Sequence, residues 1–294
     1  MGKILVTGAS GHIGNLTLKN LLARKVPATQ LAALVRDPFK AQDLNILGVE
    51  LHQADYMDPS SLRRALNGVE KLMLVSTHAF TDRKQAHANV VDAAVNAGVK
   101  HILFMPIIRK EGSDFSMNEV TEEDIFTEEK IISSGIAYTF VKHPPFLNTL
   151  PSYFGPHVLE IGIRVPSGDG KVAPATREDL AEAHGAVLTQ PGHENKSYSL
   201  TGSEAVSFAD MAEILSQLLE RDVSLSAISD PEYVAASIAS GVPDFVAPFL
   251  LDWVRGINRG EWAKVTTDLE KLIGHKATTT KEYFRTLYAN GTSK

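Results

Sequence analysis

Cysteine is absent from all 294 residues of the chain, which excludes disulfides, thiolate metal sites and cysteine nucleophiles. Long hydrophobic runs are missing as well, because no window approaches the roughly eighteen apolar residues that a membrane helix needs. The N-terminal apolar run at 3–7 is too short for the core of a signal peptide. These absences predict a protein of a reducing compartment, the cytoplasm, without a membrane as a partner.

Aromatic residues are few, at 7%, and acidic side chains outnumber basic ones, which gives a formal net charge of −6. This charge argues against a broad phosphate-binding face, so we expect no nucleic-acid partner. The ten histidines are scattered without an H-x-x-x-H pair, and we predict no metal site. Hydrophobic residues make up 44% of the chain, enough for one large core or for a core plus a smaller lobe.

Short β-branched runs alternate with helical patterns in the first half of the chain. This alternation is typical of a parallel sheet that helices cover on both faces. We therefore predict an α/β fold with a Rossmann-type, doubly wound parallel sheet. The predicted strands are 3–7, 31–35, 49–53, 72–76, 101–105 and 137–141.

Prolines interrupt the chain after residue 142, and helical patterns return only at 207–219 and 248–257. We therefore divide the chain into a Rossmann-type domain at 1–142 and a smaller mixed lobe at 143–294, which mainly binds substrate. The segment 196–200 is expected to be a strand that returns to the main sheet. The polar tail at 290–294 is expected to fray.

A glycine-rich turn joins the first predicted strand to the first helix. Its sequence, GASGHIG at 8–14, has the G-x-x-G-x-x-G spacing of a dinucleotide fingerprint. The first glycine makes the tight turn, the second lets the backbone approach a pyrophosphate, and the third allows close contact between helix and strand. Free N–H groups at the helix N-terminus favour that pyrophosphate. The cofactor-binding residues predicted here are Gly8, Ser10, Gly11, His12 and Ile13.

The end of the second predicted strand distinguishes NADP from NAD. An NAD site usually places there a carboxylate that binds both ribose hydroxyls. Here Arg36 ends the strand and Lys40 follows, and both can contact a 2′-phosphate. Two alternatives stay open, namely that Asp37 serves the ribose and that Arg36 is a solvated surface side chain. We predict that the cofactor is NADP(H).

Two further turns complete the predicted cofactor site. Asp55, after the third strand, can accept a hydrogen bond from the adenine amino group, or it can cap a turn. Ser76, Thr77 and His78 follow the fourth strand at the carboxyl edge of the sheet, where ligands bind in such folds. His78 could instead be a solvated loop side chain.

These motifs resemble the NmrA-like branch of the atypical short-chain dehydrogenases/reductases, over nearly the whole chain. Within that branch, the chain is similar to NADPH-dependent quinone oxidoreductases and triphenylmethane reductase. The resemblance implies hydride transfer from NADPH to a flat, electron-poor conjugated acceptor, without flavin or metal. It rests on the fingerprint and on VRDP at 35–38, ADY at 54–56, GVEKL at 68–72, HANV at 87–90, AGVKH at 97–101, GDGK at 168–171, ATRED at 175–179, GHENK at 192–196 and KLIGH at 271–275.

The substrate half departs from the family pattern. Short-chain dehydrogenases usually carry Tyr-x-x-x-Lys as proton donor and its activator, and the corresponding positions here hold Val120 and Asp124. Pro106, expected beside the cofactor, stands where relatives usually have a small hydroxyl-bearing residue. Lys142 and His143 stand where relatives commonly have an Arg-Asn pair.

Three residues are therefore candidates for the catalytic group. His143 follows the sixth strand at the carboxyl edge of the sheet, and a histidine suits proton donation near neutral pH; it could equally brace the two prolines that follow. Lys142 is the charged alternative. Asp124 could hold a proton if it were desolvated, but the glutamates around it predict a solvated acidic helix face. Phe146, Tyr153 and Phe154 are expected to line an apolar pocket or lid.

Three functions stay open from the sequence. The first is an NADPH-dependent reductase of a small aromatic or conjugated acceptor such as a quinone or enone. The second is a carbonyl or alcohol dehydrogenase of a specialised pathway, which the altered segment at 142–146 favours. The third is a redox sensor that binds NADP(H) without turnover, which the missing Tyr-x-x-x-Lys pair favours. The sequence also leaves the oligomeric state open, with a homodimer as one alternative.

Overall fold

The computed structural model describes residues 2–289, so the tail at 290–294 lies outside the described residues. Its strands are β1 (Lys3–Val6), β2 (Leu31–Val35), β3 (Glu50–Gln53), β4 (Val69–Leu74), β5 (His101–Phe104), β6 (Ala137–Lys142), β7 (Ile163–Val165), β8 (Lys196–Ser199) and β9 (Leu225–Ala227). Seven of them form one parallel sheet in the order β3-β2-β1-β4-β5-β6-β8, and β7 pairs with β9. The predicted α/β class and parallel sheet are confirmed.

Helices connect the strands and cover both faces of the sheet. They are α1 (His12–Ala23), α2 (Gln42–Ile46), α3 (Pro59–Ala65), α4 (Arg83–Ala97), α5 (Thr121–Ser133), α6 (Val158–Ile161), α7 (Arg177–Thr189), α8 (Phe208–Leu219), α9 (Asp230–Ala239), α10 (Ala247–Asn258), α11 (Asp268–Ile273) and α12 (Thr280–Phe284). Short 3-10 turns lie at Ala28–Gln30, Pro38–Ala41 and Leu147–Tyr153, and a π-helical turn lies at Arg285–Ala289. No helix within residues 2–289 combines the length and the apolar character needed to cross a membrane.

The apolar strands explain the layered core. Every residue of β2 is buried, as expected for a strand that is covered on both faces. One core cluster joins the sheet to α1, α7 and α11, and a second joins its other face to α3, α4 and α5. The helix residues in these clusters include Leu18, Leu21, Leu180, Val187 and Leu269 on one face, and Leu62, Val90 and Ile131 on the other.

A third core cluster, which we call the second core, lies beyond the carboxyl edge of the sheet. Its large buried side chains include Phe154, Phe208, Tyr233, Trp262 and Phe284. The two parts of the chain, before and after residue 142, pack against each other. Helices α7 and α11 from the second part pack against the sheet, and residues 117 and 120 from the first part belong to the second core.

The strand order reverses between β1 and β4, and in open α/β sheets such a reversal creates a ligand-binding crevice.

Candidate functional site

A cleft of 1090 Å³ opens at this reversal, between the carboxyl edge of the sheet and the second core. Ligand pockets commonly measure about 300–1,000 Å³, so the cleft is large even for a cofactor site. One end is lined by the glycine turn and by the ends of β2, β3 and β4. The other end is lined by the segment at 145–153, the start of α7 and α10.

The glycine turn has the geometry that the fingerprint predicts. Gly8 has a φ of +58°, a conformation that favours glycine. A Cβ on Gly14 would lie 2.7 Å from the Gly8 carbonyl oxygen and 2.9 Å from the Ala9 Cα, so only glycine allows this approach of helix to strand. Gly11 is the N-cap of α1, and no side chain caps the helix. The first-turn N–H groups are therefore left for a ligand in the cleft.

The cations after β2 are available for an anion. Arg36 and Lys40 line the cleft and are exposed, and neither forms an ion pair within the described part of the chain. The Asp37 carboxylate is engaged locally, because its Oδ1 accepts a hydrogen bond from the Phe39 N–H at 3.0 Å. Arg36 and Lys40, which have no ion pair in the described part of the chain, fit a 2′-phosphate better than a free ribose diol, because the neighbouring Asp37 carboxylate already accepts a backbone N–H.

The loop after β4 is held by a buried histidine. Thr127 donates its hydroxyl proton to the Glu123 carbonyl at 2.7 Å, so the His87 Nδ1 donates to the Thr127 Oγ1 at 2.9 Å. The His87 Nε2 is then free to accept the Thr77 N–H at 3.2 Å. Burial lowers the pKa of His87 to about 3, which keeps the ring neutral, and the bond to Thr127 sets its tautomer. His87 thus positions the wall of the cleft at Thr77.

The other residues predicted for the cofactor lie along the same end of the cleft. The Ser76 Oγ is buried without a hydrogen-bond partner in the described part of the chain, so a polar ligand atom would satisfy it. The Asp55 Oδ1 accepts the Met57 N–H at 2.8 Å, so this carboxylate caps a turn while it lines the cleft. Ser10, His12, Ile13 and His78 also line it, whereas Pro106 is buried between Met105 and Ile107, which do. The arrangement fits a dinucleotide that carries an extra phosphate.

A buried ion pair occupies the region of the missing Tyr-x-x-x-Lys pair. Asp124 is buried, so the solvated acidic face predicted for it is wrong. Its Oδ1 lies 2.6 Å from the Arg83 Nη2, and its Oδ2 accepts the Ile107 N–H at 2.8 Å. Burial raises the pKa of this carboxyl to about 6, and Arg83 opposes the rise. Val120 lines the cleft beside them as a buried apolar residue.

Lys142, the last residue of β6, and His143, which follows the strand, lie in different environments. The half-buried His143 lines the cleft, and burial lowers its pKa to about 4. Its Nδ1 lies 2.7 Å from the Pro144 carbonyl, which can only accept, so the proton is on Nδ1. Lys142 does not line the cleft. Its Nζ lies 3.2 Å from the Glu128 carboxylate, which also binds Arg109.

The far end of the cleft is aromatic. Phe146 stacks on His143 with ring centroids 4.6 Å apart, and Tyr153 stacks with Trp253 at 6.2 Å. Phe154 does not line the cleft as predicted, because it packs between Phe208 and Phe284 in the second core.

The sequence interpretation missed several lining residues. They include Arg83, Thr149, Arg177, Phe249, Leu250 and Trp253. The amphipathic pattern at 248–257 and the ATRED motif were the available signals for α10 and α7. Neither signal indicates which side chains face a ligand.

The sequence matches the NmrA-like family over residues 1–287. It is 38% identical to Quinone oxidoreductase 2 of Escherichia coli (strain K12) over 281 residues, 95% of this chain and 96% of that protein. It is 33% identical to the NAD(P)H azoreductase of Xenophilus azovorans, with coverage of 95% and 96%. The Citrobacter sp. triphenylmethane reductase complexed with NADP(H) superimposes with a TM-score of 0.88 at 35% identity, covering 97% of this chain and 99% of that one. The chain belongs to the NmrA-like family.

Proposed function

We propose that the protein transfers a hydride from NADPH to a small conjugated acceptor such as a quinone or enone. One observation carries the proposal: a single cleft joins a glycine turn with free helix N–H groups, flanked by two cations that have no ion pair within residues 2–289, to an end lined by aromatic side chains. The relatives support it, since their names describe quinone and azo reduction with nicotinamide cofactors.

Residues 1–142 supply the cofactor end of the cleft. Gly11 and the first turn of α1 would hold the pyrophosphate, and Arg36 with Lys40 would hold the 2′-phosphate. Asp55 and Ser76 would bind the cofactor through their side-chain oxygens. The nicotinamide cofactor, when bound, supplies the hydride; the chain's own residues orient it and keep bulk water from the reacting face.

Residues 143–294 supply most of the acceptor end. Tyr153, Phe249 and Trp253 present flat apolar surfaces that would hold an aromatic ring and exclude water from it. Positioning alone can lower a barrier substantially when the reacting atoms are held in line. A quinone ring is electron-poor before it binds, so it needs less acid assistance than a simple carbonyl.

The test is anaerobic NADPH oxidation against a panel of quinones, enones, aldehydes and triarylmethane dyes, with cofactor affinity measured separately. We expect turnover with the conjugated acceptors and slower turnover or none with the aldehydes. Tight NADPH binding without turnover of any acceptor would overturn the proposal and favour a redox sensor. Preferential turnover of aldehydes would favour a carbonyl reductase.

We further propose a cytoplasmic location and no nucleic-acid partner for the protein. The net charge of −6 supports the absence of a nucleic-acid partner. A homodimer is one alternative for its oligomeric state. Light scattering of the purified protein measures the oligomeric state directly.

A further inference from the structure

Arg177 is a cation at the aromatic end of the cleft. It is the first residue of α7, it is half-buried, and it lines the cleft together with Phe146 and Tyr153. Its guanidinium carbon lies 5.1 Å from the centroid of the Phe146 ring. This contact orients the guanidinium but leaves its N–H donors without a partner among residues 2–289, because an aromatic face accepts charge without taking up directed hydrogen bonds.

Arg177 is less compensated than the other arginine at this end of the cleft. Arg83, the other arginine near this end, is neutralised by Asp124 at 2.6 Å. Arg177 has no ion pair with any residue between 2 and 289. The adjacent Glu178 is exposed and accepts a hydrogen bond from Asn148 at 3.1 Å. Partial burial lowers the pKa of Arg177, and the nearby Glu178 charge offsets this lowering only in part.

The backbone at Arg177 is anchored independently of its side chain. Asn148 accepts the Arg177 N–H at 2.7 Å, and Thr176 caps the helix by accepting the Asp179 N–H at 3.1 Å. With the Leu180 N–H donating to the Thr176 carbonyl at 3.0 Å, three of the first four N–H groups of α7 are bound within the protein. An anion at this end of the cleft would bind the guanidinium rather than the helix terminus.

We propose that Arg177 binds an anionic substituent of the acceptor, so that the preferred acceptors are conjugated rings carrying a carboxylate, sulfonate or phosphate. The inference rests on the proposed function and deepens it, because it names the charge class of the acceptor. A planar guanidinium beside an aromatic wall suits a planar anionic ring, since it offers parallel N–H donors to a carboxylate or sulfonate. The transferred hydride and the oxidised cofactor are those of the proposed reaction.

The test compares a naphthoquinone bearing a propanoate arm with its methyl ester, two acceptors with the same ring and different charge. We expect wild-type protein to favour the acid in kcat/KM. In Arg177→Gln the acid-to-ester ratio should fall about ten- to a hundredfold, the loss typical of a charged hydrogen-bonded pair. Arg177→Lys should retain part of the ratio because it keeps the charge but not the fork. Use of the ratio removes any general effect of the variant on folding or hydride transfer.

Arg63→Gln is the control, because Arg63 is an exposed arginine on α3 outside the cleft and its removal changes the net charge equally. An unchanged ratio in Arg177→Gln would overturn the proposal. A fall in NADPH affinity at constant ratio would also overturn it, since Arg177 would then serve the cofactor. If neither quinone were reduced, the proposed function would fail, and the affinities of acid and ester for the NADP⁺-loaded protein would still decide the role of Arg177.

Discussion

The Arg83 guanidinium and the Asp124 carboxylate are paired at 2.6 Å, with only 5% and 3% of their side chains exposed. Arg83 also donates to the Glu119 carbonyl at 3.0 Å, and Asp124 accepts the Ile107 N–H. Ile107 in turn bridges to His143, whose N–H and carbonyl pair with the segment after β5. The pair thus connects α4 and α5 to the floor of the cleft at Ile107 and His143, and we propose a positioning role for Asp124 rather than the catalytic one considered from the sequence.

Removal of one charge should destabilise the protein strongly. In Asp124→Asn the amide oxygen can still accept the Ile107 N–H, but Arg83 is left buried without a counter-charge. Such a loss typically costs about 3–5 kcal/mol in the free energy of unfolding. Urea unfolding at neutral pH measures it.

The double variant Arg83→Met with Asp124→Leu provides the control. Because it removes both charges, it should recover most of the stability lost in the single variant. A single variant as stable as wild type would show that the pair does not hold the cleft floor.

Two glycines of the same turn should respond differently to substitution. A Cβ at Gly14 would collide with backbone atoms at 2.7–2.9 Å, so Gly14→Ala should destabilise the fold. A Cβ at Gly11 would meet only the Gly8 oxygen at 3.3 Å, so Gly11→Val should fold and lose NADPH affinity, since its side chain would occupy the pyrophosphate path. Thermal unfolding and calorimetric titration separate the two effects. Normal NADPH binding by Gly11→Val would contradict the placement of the cofactor.

Substitution of Arg36 should discriminate between the two nicotinamide cofactors. Arg36→Ala removes charged hydrogen bonds to the 2′-phosphate, worth roughly 1.5–3 kcal/mol, and should weaken NADPH binding about ten- to a hundredfold. NADH lacks that phosphate, so its affinity should change little. Titration of both cofactors into both proteins measures the difference, with Arg63→Ala as the surface control. Equal losses for NADPH and NADH would show that Arg36 does not bind the phosphate.

The cofactor end of the site could be predicted from the sequence because its determinants are local. Gly8, Gly11 and Gly14 act through backbone geometry within one turn, and Arg36 follows its strand directly. Strand-helix periodicity likewise predicts the parallel sheet, since each element carries its own apolar pattern.

The acceptor end could not be predicted, because its partners are distant in sequence. The burial of Asp124 depends on its pairing with Arg83, 41 residues earlier. The four glutamates near Asp124 in sequence therefore led to the wrong prediction of a solvated side chain. Phe154 and Tyr153 are adjacent and both belong to the second core, yet only Tyr153 also lines the cleft. Only the three-dimensional packing of α10 and α7 brings Trp253 and Arg177 to the same end.

His143 is the residue that we expect to assist proton transfer to the acceptor. If His143 donates a proton to the acceptor oxygen, His143→Phe should lower turnover of a carbonyl acceptor by about 10²–10⁴-fold near pH 4, where the ring is protonated, and turnover of an easily reduced quinone by less. Phenylalanine can retain the stacking on Phe146, so cofactor affinity should hardly change.

Because the pKa of His143 is low, its contribution to carbonyl turnover should depend on pH. Burial holds that pKa near 4, and the Nδ1 proton is committed to Pro144, so the neutral ring presents Nε2 as an acceptor. Donation from Nε2 requires the protonated ring, about one molecule in a thousand at neutral pH. Carbonyl turnover by wild type should therefore rise about tenfold for each unit that the pH falls toward 4, and His143→Phe should lose this rise. A pH profile identical in both proteins would remove His143 from proton transfer and leave positioning of the acceptor as the main catalytic device.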